Sequence, residues 1–173
     1  MSGTTGDGLV TLRLATERDL EEIFAIYDRE VLHGVATFDT QPRSAAQRLE
    51  WLAQHLPERY PVMVAECGGV VAGWGSISRW SDRSAYARTA EDSVYIGEPW
   101  RGRGIGRMIL ADLLVRAEAA GIRVVVARIV EGNPASIRLH EALGFGRIGV
   151  MRGVGEKFGR VLDVVLMDRR LGE

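Results

Sequence analysis

The sequence contains one cysteine, one lysine and three histidines among its 173 residues, and it has no long apolar run. Because Cys67 is alone, it can form neither an intramolecular disulfide nor a multi-cysteine metal site. The histidines at 33, 55 and 140 lack the spacing of a metal-ligand motif. No segment approaches the roughly 18 apolar residues of a membrane span, and segment 1–7 lacks the basic and apolar regions of a secretory signal. These absences predict a cytoplasmic protein with no metal and no membrane partner.

Neither basic nor acidic residues are in excess, since the sequence has 22 basic and 23 acidic residues and a net charge of -1. This balance argues against a nucleic-acid partner, which a broadly basic surface would serve, but it is compatible with a local anion site. Every basic residue except Lys157 is arginine, whose planar fork pairs with phosphate and carboxylate. A GC-rich coding bias would give the same excess, so position must decide which arginines bind a ligand.

The length suits one domain. We expect residues 1–8 to be a flexible N-terminus and residues 9–173 to form the domain. Alternating or continuous apolar residues predict strands, and apolar residues at helical spacing after a capping residue predict helices. The predicted strands cover 10–14, 62–66, 70–77, 89–96, 124–130, about 146–154 and about 161–167. The predicted helices begin at the capping segments 16–19 and 44–47, after the glycine-rich turn 97–106, and at Pro134.

The turn before the third predicted helix has the composition of an anion-binding loop. It carries Gly102, Gly104 and Gly106 within five residues. Glycines let the backbone approach a ligand, and free amides at a helix start carry partial positive charge, so the segment predicts a receptor for a pyrophosphate. It lacks the lysine of a P-loop, and Arg107 stands where a dinucleotide fingerprint requires its last glycine. The alternative is a tight surface turn with solvated arginines.

The run Arg101-Gly102-Arg103-Gly104-Ile105-Gly106 matches the pattern R/Q-x-x-G-x-G/A. It resembles the acetyl-coenzyme A loop of the GNAT superfamily of N-acetyltransferases. Asn133, Ser136 and the segment 140–145 are similar to a second superfamily segment, which lines the pantetheine arm of the coenzyme. The order of elements fits this fold over residues 10–167. The resemblance implies a single α/β (α+β) domain in which about four helices flank a mixed, mostly antiparallel sheet of six or seven strands.

Further segments resemble one branch of that superfamily, the phosphinothricin and methionine sulfoximine (or sulfone) N-acetyltransferases. These segments are 83–96, 139–145 and 154–164, and 35–38 is similar to the part of those enzymes that lies beside the substrate. Val161 departs from the pattern, since many relatives carry tryptophan there. The resemblance implies acetyl-CoA as co-substrate, the amino group of a small amino-acid analogue as acceptor, and a homodimer.

The resemblance also implies roles for single residues. Glu91 matches the general base that takes a proton from the ammonium of the substrate, although its spacing alone favours an exposed strand-end glutamate. His140 stands where many members of the superfamily place a tyrosine acid, and imidazole donates or accepts a proton near neutral pH; a structural role for it is equally open. The residues implied to bind acetyl-CoA are Val94, Tyr95, Ile96, Arg101, Gly102, Arg103, Gly104, Ile105, Gly106, Arg107, Asn133 and Ser136.

A phosphinothricin-like amino-acid substrate calls for a cation to meet its α-carboxylate or its phosphinate-like tail. Arg83, in the loop before Glu91, is the first candidate, and Lys157 is the second, with a solvated hairpin tip as its alternative. Phe38, Tyr86 and Trp80 are candidates for the pocket wall, although core packing explains aromatic residues equally well. The predicted substrate-binding residues are Phe38, Ser81, Asp82, Arg83, Tyr86, Glu91, Asp92, Ser93 and Lys157.

Two other functions stay open. An enzyme that acetylates a protein N-terminus would need an open groove, and one that acetylates an aminoglycoside would need an acidic pocket; neither fits Arg83 and Lys157. A module that binds acetyl-CoA without catalysis would have no need of Glu91 and His140.

Overall fold

Seven strands form one sheet in the computed structural model, which describes residues 9–172. The strands are β1 (Val10–Leu14), β2 (Val62–Cys67), β3 (Val70–Arg79), β4 (Thr89–Ile96), β5 (Val124–Val130), β6 (Gly146–Lys157) and β7 (Arg160–Arg170). The helices are α1 (Leu20–His33), α2 (Ala45–Ala53), α3 (Ile105–Ala119) and α4 (Pro134–Ala142). The strand order is β1-β2-β3-β4-β5-β7-β6, and within this sheet only β4 and β5 pair in parallel. The predicted fold class is confirmed, while the predicted flexible segment 1–8 lies outside the described residues.

The two faces of the sheet carry different helices, and alternation along each strand assigns its side chains to one face or the other. In β5, Val125 and Ala127 belong to the core under α3, together with Ile109. On the opposite face, α1 contributes Phe24 to a second core that contains Trp74 of β3. Because both faces are covered, a charged side chain on a central strand must meet a partner or point into a cavity.

The first two helices begin where their capping patterns predict. Ser44 Oγ accepts a hydrogen bond from Gln47 N at 3.3 Å, and Gln47 Oε1 accepts one from Ser44 N at 2.8 Å, which is a reciprocal capping box. Before α1, Asp19 Oδ2 accepts a hydrogen bond from Thr16 N at 2.7 Å. The segment 17–19 there forms a 3₁₀ turn, and the α-helix itself starts at Leu20.

The closing hairpin is longer than the sequence predicts. β6 ends at Lys157 and β7 begins at Arg160, so a two-residue turn of Phe158 and Gly159 replaces the longer gap between the predicted strands 146–154 and 161–167. The φ angles of these two residues are 53° and 69°, in the left-handed region that tight hairpin turns of the primed types require. A phenylalanine rarely adopts that conformation, so no local pattern predicts this turn.

β4 and β5 separate in the middle of the sheet. Their parallel ladder joins Thr89–Glu91 to Val124–Val126 and ends there. β4 stays paired with β3 as far as Ile96, and β5 stays paired with β7 as far as Val130. Beyond Glu91, the edge of β4 that faced β5 therefore has backbone groups with no ladder partner in the described sheet, and a gap opens between the two strands.

None of the helices within residues 9–172 is both long and apolar enough to cross a membrane. Over the same residues, no group of three or more histidine, cysteine, aspartate or glutamate side chains is arranged to hold a metal ion.

Candidate active site

Two consecutive carboxylates lie where the β4–β5 ladder ends. Glu91 is the last residue of β4 that pairs with β5, and Asp92 is the first beyond it. Because successive side chains of a strand point to opposite faces, Asp92 lies on the face that α3 covers, with Ala90 and Val94, and Glu91 lies on the face of α1, with Tyr95. The two side chains accordingly have different partners.

Asp92 and His140 form a buried hydrogen-bonded pair. His140 Nε2 lies 3.0 Å from Asp92 Oδ2, and His140 Nδ1 lies 2.7 Å from the carbonyl oxygen of Ser136. A carbonyl only accepts hydrogen bonds, so Nδ1 carries a proton, and the contact with Asp92 requires a second proton between Nε2 and Oδ2. The pair therefore holds one exchangeable proton, as imidazolium with carboxylate or as imidazole with carboxylic acid.

The environment of His140 favours the protonated ring. Burial lowers the pKa of His140, but the hydrogen bond and negative charge of Asp92, together with the hydrogen bond to Ser136, outweigh it and raise the pKa above its ordinary value of 6.5. A histidine in this state can donate a proton at neutral pH.

Glu91 is paired with Arg128, which is not among the predicted site residues. Arg128 Nε donates to Glu91 Oε1 at 2.6 Å, and Arg128 Nη2 donates to Glu91 Oε2 at 2.7 Å. This fork engages both oxygens of the carboxylate, which is the strongest geometry for such a pair. The guanidinium also lies 5.6 Å from the ring centroid of Trp80.

Both pairs line one cavity of about 440 Å³ that occupies the gap between the strands. Its remaining wall comes from the loop between α1 and α2 and from Met151 and Val154 of β6. Asp92 Oδ1 is buried at this wall and has no hydrogen-bond partner among residues 9–172. The volume suits a small molecule. The predicted substrate or catalytic residues that line the cavity are Phe38, Glu91, Asp92, Ser93 and His140.

Two tyrosines fix the loop that forms this wall. Tyr27 OH donates to Asp39 Oδ2 at 2.8 Å and shares a 2.7 Å hydrogen bond with Thr37 Oγ1. Tyr95 OH donates to the carbonyl oxygen of Ala36 at 3.4 Å. Burial raises the pKa of Tyr27 to about 12 and also raises the pKa of Tyr95, so both phenols stay protonated and keep their donor role.

Lys157 fixes the same loop from the other side. The residue is only 4% exposed, and Nζ donates to the carbonyl oxygens of Glu30 at 3.0 Å and Thr37 at 2.8 Å. Burial lowers its pKa. The expected solvated hairpin tip is therefore wrong, and Lys157 does not line the substrate cavity. The reason is the two-residue turn, which keeps Lys157 within β6 and directs its side chain under the loop.

The structure places four other predicted substrate residues outside both cavities: Ser81, Asp82, Arg83 and Tyr86. They belong to the loop between β3 and β4, and this loop is fastened at the far end of α3, where Arg88 Nε donates to Gly121 O at 2.8 Å. Closeness in sequence to Glu91 suggested a contact with substrate, but the loop turns away before β4 begins. Arg128 supplies the cation of the cavity instead.

A second cavity of about 650 Å³ adjoins the first and runs from β4 to the start of α3. The two cavities share walls made by Val94 and Tyr95 of β4 and by Asn133 and Ser136 at the start of α4. The predicted acetyl-CoA residues that line this cleft are Val94, Tyr95, Ile96, Arg101, Gly102, Gly104, Ile105, Gly106, Arg107, Asn133 and Ser136.

The end of the cleft is the start of α3, which has no side-chain cap. Gly104 is the N-cap residue, and its φ of 78° lies in the left-handed region that favours glycine. The amides of the first turn, 105–107, have no acceptor within the helix and carry the positive end of its dipole. This start fits the phosphates of acetyl-CoA, and the unpaired edge of β4 fits the amides of its pantetheine arm.

The three arginines predicted at the phosphates have different surroundings. Arg101 donates to Glu30 Oε1 at 2.8 Å and to the carbonyl oxygen of Ile96 at 3.2 Å, so it ties the loop to α1 and β4. Arg103 lies 5.1 Å from the ring centroid of Trp100 and is not part of the cleft wall. Arg107 lines the cleft and is exposed, which makes it the best placed of the three to meet a phosphate.

One signal in the sequence points to Arg128. β5 reads Val-Val-Val-Ala-Arg-Ile-Val, and Arg128 is its one charged and one exposed residue. Strands covered on both faces are nearly continuous apolar runs, so a single arginine within such a run marks a cavity or a buried carboxylate.

Comparisons with known proteins agree with this geometry. Residues 18–145 match the acetyltransferase (GNAT) family. The chain is 39% identical to an L-methionine sulfoximine/L-methionine sulfone acetyltransferase of Salmonella typhimurium, over 95% of this chain and 96% of that protein. It is 41% identical to a phosphinothricin acetyltransferase of Sinorhizobium meliloti solved in complex with acetyl-CoA, with a TM-score of 0.91 over 95% of this chain and 89% of that one. A ribosomal-protein-alanine N-acetyltransferase of Brucella melitensis is 37% identical, with a TM-score of 0.90 over 93% and 99% of the two chains.

The names of these proteins agree on acetyl transfer and differ in the acceptor. Their likeness covers nearly the whole chain and so includes both cavities and the gap between β4 and β5. The chain therefore belongs to the acetyltransferase (GNAT) family and is an enzyme that uses acetyl-CoA as its co-substrate.

Proposed function

We propose that this enzyme acetylates the α-amino group of a small amino acid of the phosphinothricin or methionine sulfoximine/sulfone type. The observation that carries the proposal is the pair of consecutive carboxylates at the end of the β4–β5 ladder. Glu91 and the Asp92–His140 pair line the same cavity, which adjoins the acetyl-CoA cleft. The names of the similar proteins from Salmonella typhimurium and Sinorhizobium meliloti support the choice of acceptor.

Glu91 is proposed as the general base. An α-amino group is mostly an ammonium at neutral pH, and it must lose a proton before its nitrogen becomes a nucleophile. Glu91 lies on the α1 face of the gap with its carboxylate in the cavity wall. It takes that proton directly or through one water molecule.

His140 is proposed as the general acid, and Asp92 as the residue that keeps it protonated. Bound acetyl-CoA supplies a thioester whose acetyl carbon accepts the amine nitrogen. As the nitrogen attacks, the C–S bond breaks, and the exchangeable proton of the His140–Asp92 pair passes to the leaving sulfur. The nitrogen gives its second proton to water. Asp92 stabilises the protonated ring until the transfer. The raised pKa of His140 supports this assignment, because a general acid must be protonated before the step.

The cleft residues hold and orient acetyl-CoA in this proposal. The first-turn amides of α3 and the guanidinium of Arg107 bind phosphate oxygens. The free edge of β4 from Val94 to Ile96 pairs with the pantetheine arm, as an added strand would, and a backbone amide of this edge stabilises the developing oxyanion. Asn133 caps α4, since its Oδ1 accepts from Ser136 N at 3.2 Å, and so shapes the shared wall of the two cavities.

The substitution Glu91→Gln tests the base. We expect the turnover of methionine sulfone to fall by about 10² to 10⁴-fold, the usual contribution of a positioned base, while the affinity for acetyl-CoA stays within about twofold of wild type. Turnover is measured as acetyl-CoA consumption with phosphinothricin, methionine sulfoximine, methionine sulfone and ordinary amino acids, and affinity is measured by calorimetry. Glu50→Gln, at an exposed glutamate of α2, is the control and should keep full activity.

Three outcomes separate the alternatives. Full turnover of Glu91→Gln overturns the assignment of the base. If the enzyme acetylates a peptide N-terminus but acetylates none of the free amino acids, the result favours the activity named for the Brucella melitensis protein. Binding of acetyl-CoA with no acetylation of any amine favours a module without catalysis.

We also propose that the enzyme is a cytoplasmic homodimer. β6 is an edge strand of the sheet, and its hairpin with β7 exposes Val154, Phe158 and Val161. Exposed apolar side chains grouped at an unpaired sheet edge are typical of an interface between copies.

A further inference from the structure

Arg128 is placed as a ligand-binding residue would be, yet the proposed mechanism gives it no task. It belongs to the half of β5 that lies beyond the end of the β4 ladder, and its side chain reaches the substrate cavity on the same face as Glu91. The strand around it is otherwise apolar. An arginine at such a position is available to a carboxylate or a polar ligand in the cavity, because no other charged residue of the strand neutralises it.

The guanidinium has both a partner and a support. Its two hydrogen bonds to Glu91, of 2.6 and 2.7 Å, form the fork geometry that suits any carboxylate. Trp80 lies against it at 5.6 Å from the ring centroid, which orients the fork without using a donor. The side chain of Arg128 is still 53% exposed, whereas that of Glu91 is 18% exposed. A ligand that enters the cavity therefore reaches the arginine more easily than the glutamate.

This ion pair conflicts with the role of Glu91 as a base. Each oxygen of Glu91 accepts from Arg128, so the carboxylate is engaged by a cation when it should receive a proton from an ammonium. Before Glu91 can accept a proton from the substrate, its ion pair with Arg128 must be replaced by contacts with other groups. The exchange needs another anion for Arg128 and another cation for Glu91, close to each other.

A free amino acid supplies both groups. Its α-ammonium and α-carboxylate sit on one carbon atom, and a neighbouring carboxylate and guanidinium are the matching pair of opposite charge. We propose that Arg128 binds the α-carboxylate of the substrate, and that this exchange of partners releases Glu91 to receive the α-ammonium. The inference rests on the proposed function and narrows it to acceptors that carry a free carboxylate beside the amine.

The exchange makes Arg128 a determinant of specificity. A peptide N-terminus, an amino-acid amide and a decarboxylated amine all have the amine but lack the adjacent carboxylate. None of them draws Arg128 away from Glu91, so each should be a poor acceptor. Lys157 and Arg83 do not line the cavity and do not provide a second receptor there.

The test compares two acceptors that differ only in the carboxylate, methionine sulfone and 3-(methylsulfonyl)propylamine, with wild type, Arg128→Gln and Arg128→Lys. Loss of a bidentate, charge-assisted contact should raise the KM for methionine sulfone by about 10- to 100-fold in Arg128→Gln. The kcat/KM for the amine should stay level or rise, because Glu91 is no longer held by Arg128, so the preference of wild type for the amino acid collapses. Arg128→Lys, which keeps the charge but not the fork, should lie between them. Arg18→Gln, at an exposed arginine, is the matched control and should behave as wild type.

Calorimetry of methionine sulfone binding, with coenzyme A present, separates this inference from the proposed function. Binding that weakens in Arg128→Gln supports the carboxylate site even if wild type does not acetylate the compound, in which case only the proposed function fails. Equal increases of KM for both acceptors would show that Arg128 acts only by positioning Glu91, and would overturn the inference. Unchanged KM and unchanged binding in Arg128→Gln would overturn it as well. Thermal unfolding of each variant with acetyl-CoA confirms that the cleft is intact.

Discussion

At the scale of single residues, the site is built from two neighbouring carboxylates with opposite tasks. Asp92 is buried and shares a proton with His140, while Glu91 faces the cavity and pairs with Arg128. One residue of offset on a strand turns a side chain to the other face. Two consecutive residues of β4 can therefore supply the proposed base, Glu91, and the partner of the proposed acid, Asp92. The gap between β4 and β5 gives both side chains access to one cavity.

Replacing Asp92 by Asn should change the pH dependence of both stability and activity. The pKa of His140 is raised in the folded state, so its pair with Asp92 stabilises the protein fully below the unfolded pKa of about 6.5 and loses this contribution as the pH rises through the folded value. The difference in unfolding free energy between wild type and Asp92→Asn should be largest near pH 6 and shrink as the pH rises through the raised pKa of His140. Urea unfolding at a series of pH values measures it.

The activity of the same variant distinguishes an acid from a merely structural histidine. If His140 donates a proton, the rate falls at high pH as His140 loses it, and without Asp92 that alkaline limb moves to lower pH. A limb that stays in place in Asp92→Asn, with stability altered, would leave His140 with a structural role only.

At the scale of elements, the β6–β7 hairpin shapes the substrate cavity through the loop that it supports, in addition to the side chains with which it lines the cavity. Its tip carries Lys157 under the loop between α1 and α2, and the backbone at Gly155 lies against the ring of Phe38. A Cβ on residue 155 would lie 2.1 Å from that ring, so any larger residue there would displace Phe38. The two-residue turn thus sets the position of a loop that lines both cavities.

Lys157→Met should loosen this loop. The substitution removes the donor of two hydrogen bonds. It leaves the carbonyl oxygen of Thr37 without that donor, while that of Glu30 still accepts from Gly34 N at 3.0 Å, so the cost in unfolding free energy should be about 2 kcal/mol. The KM values for acetyl-CoA and for the acceptor should both rise, because the loop lines both cavities. Urea unfolding and steady-state kinetics provide the measurements. Arg160→Met, at an exposed position of the same hairpin, is the control, and equal behaviour of the two variants would argue against the loop contact.

At the scale of the whole molecule, the sequence predicts local patterns better than it predicts contacts between distant segments. β5 and β1 have the predicted bounds, since a buried apolar run and an alternating strand each have their own signature. The turn at Phe158 was missed, because a left-handed phenylalanine has no such signature. Most elements nevertheless lie within a few residues of their expected ends.

The candidate site divides in the same way. The glycine loop, Glu91 and His140 were expected from a motif and a resemblance, and the structure brings all of them to the two adjoining cavities. The Arg128–Glu91 contact joins residues 37 positions apart. It depends on where the ladder between two strands ends, which no local pattern records. Arg83 was expected at the site because it is close to Glu91 in sequence. It lies outside the cavities, because the path of its loop is likewise not recorded in any local pattern.

The proposed homodimer can be tested by a substitution at Val161. Val161 is 71% exposed beside the tip of the β6–β7 hairpin, and Val115 of α3 is 67% exposed away from it. Aspartate at either position leaves the buried core of one copy unchanged, but only Val161→Asp places a charge among the apolar side chains of the hairpin, where burial without a partner is costly. We expect sedimentation velocity to give wild type and Val115→Asp twice the mass of one chain, and Val161→Asp the mass of a single chain with an unaltered far-UV spectrum. A single-chain mass for wild type would contradict the homodimer, and a Val161→Asp variant that stays at twice the chain mass would place the interface on another face.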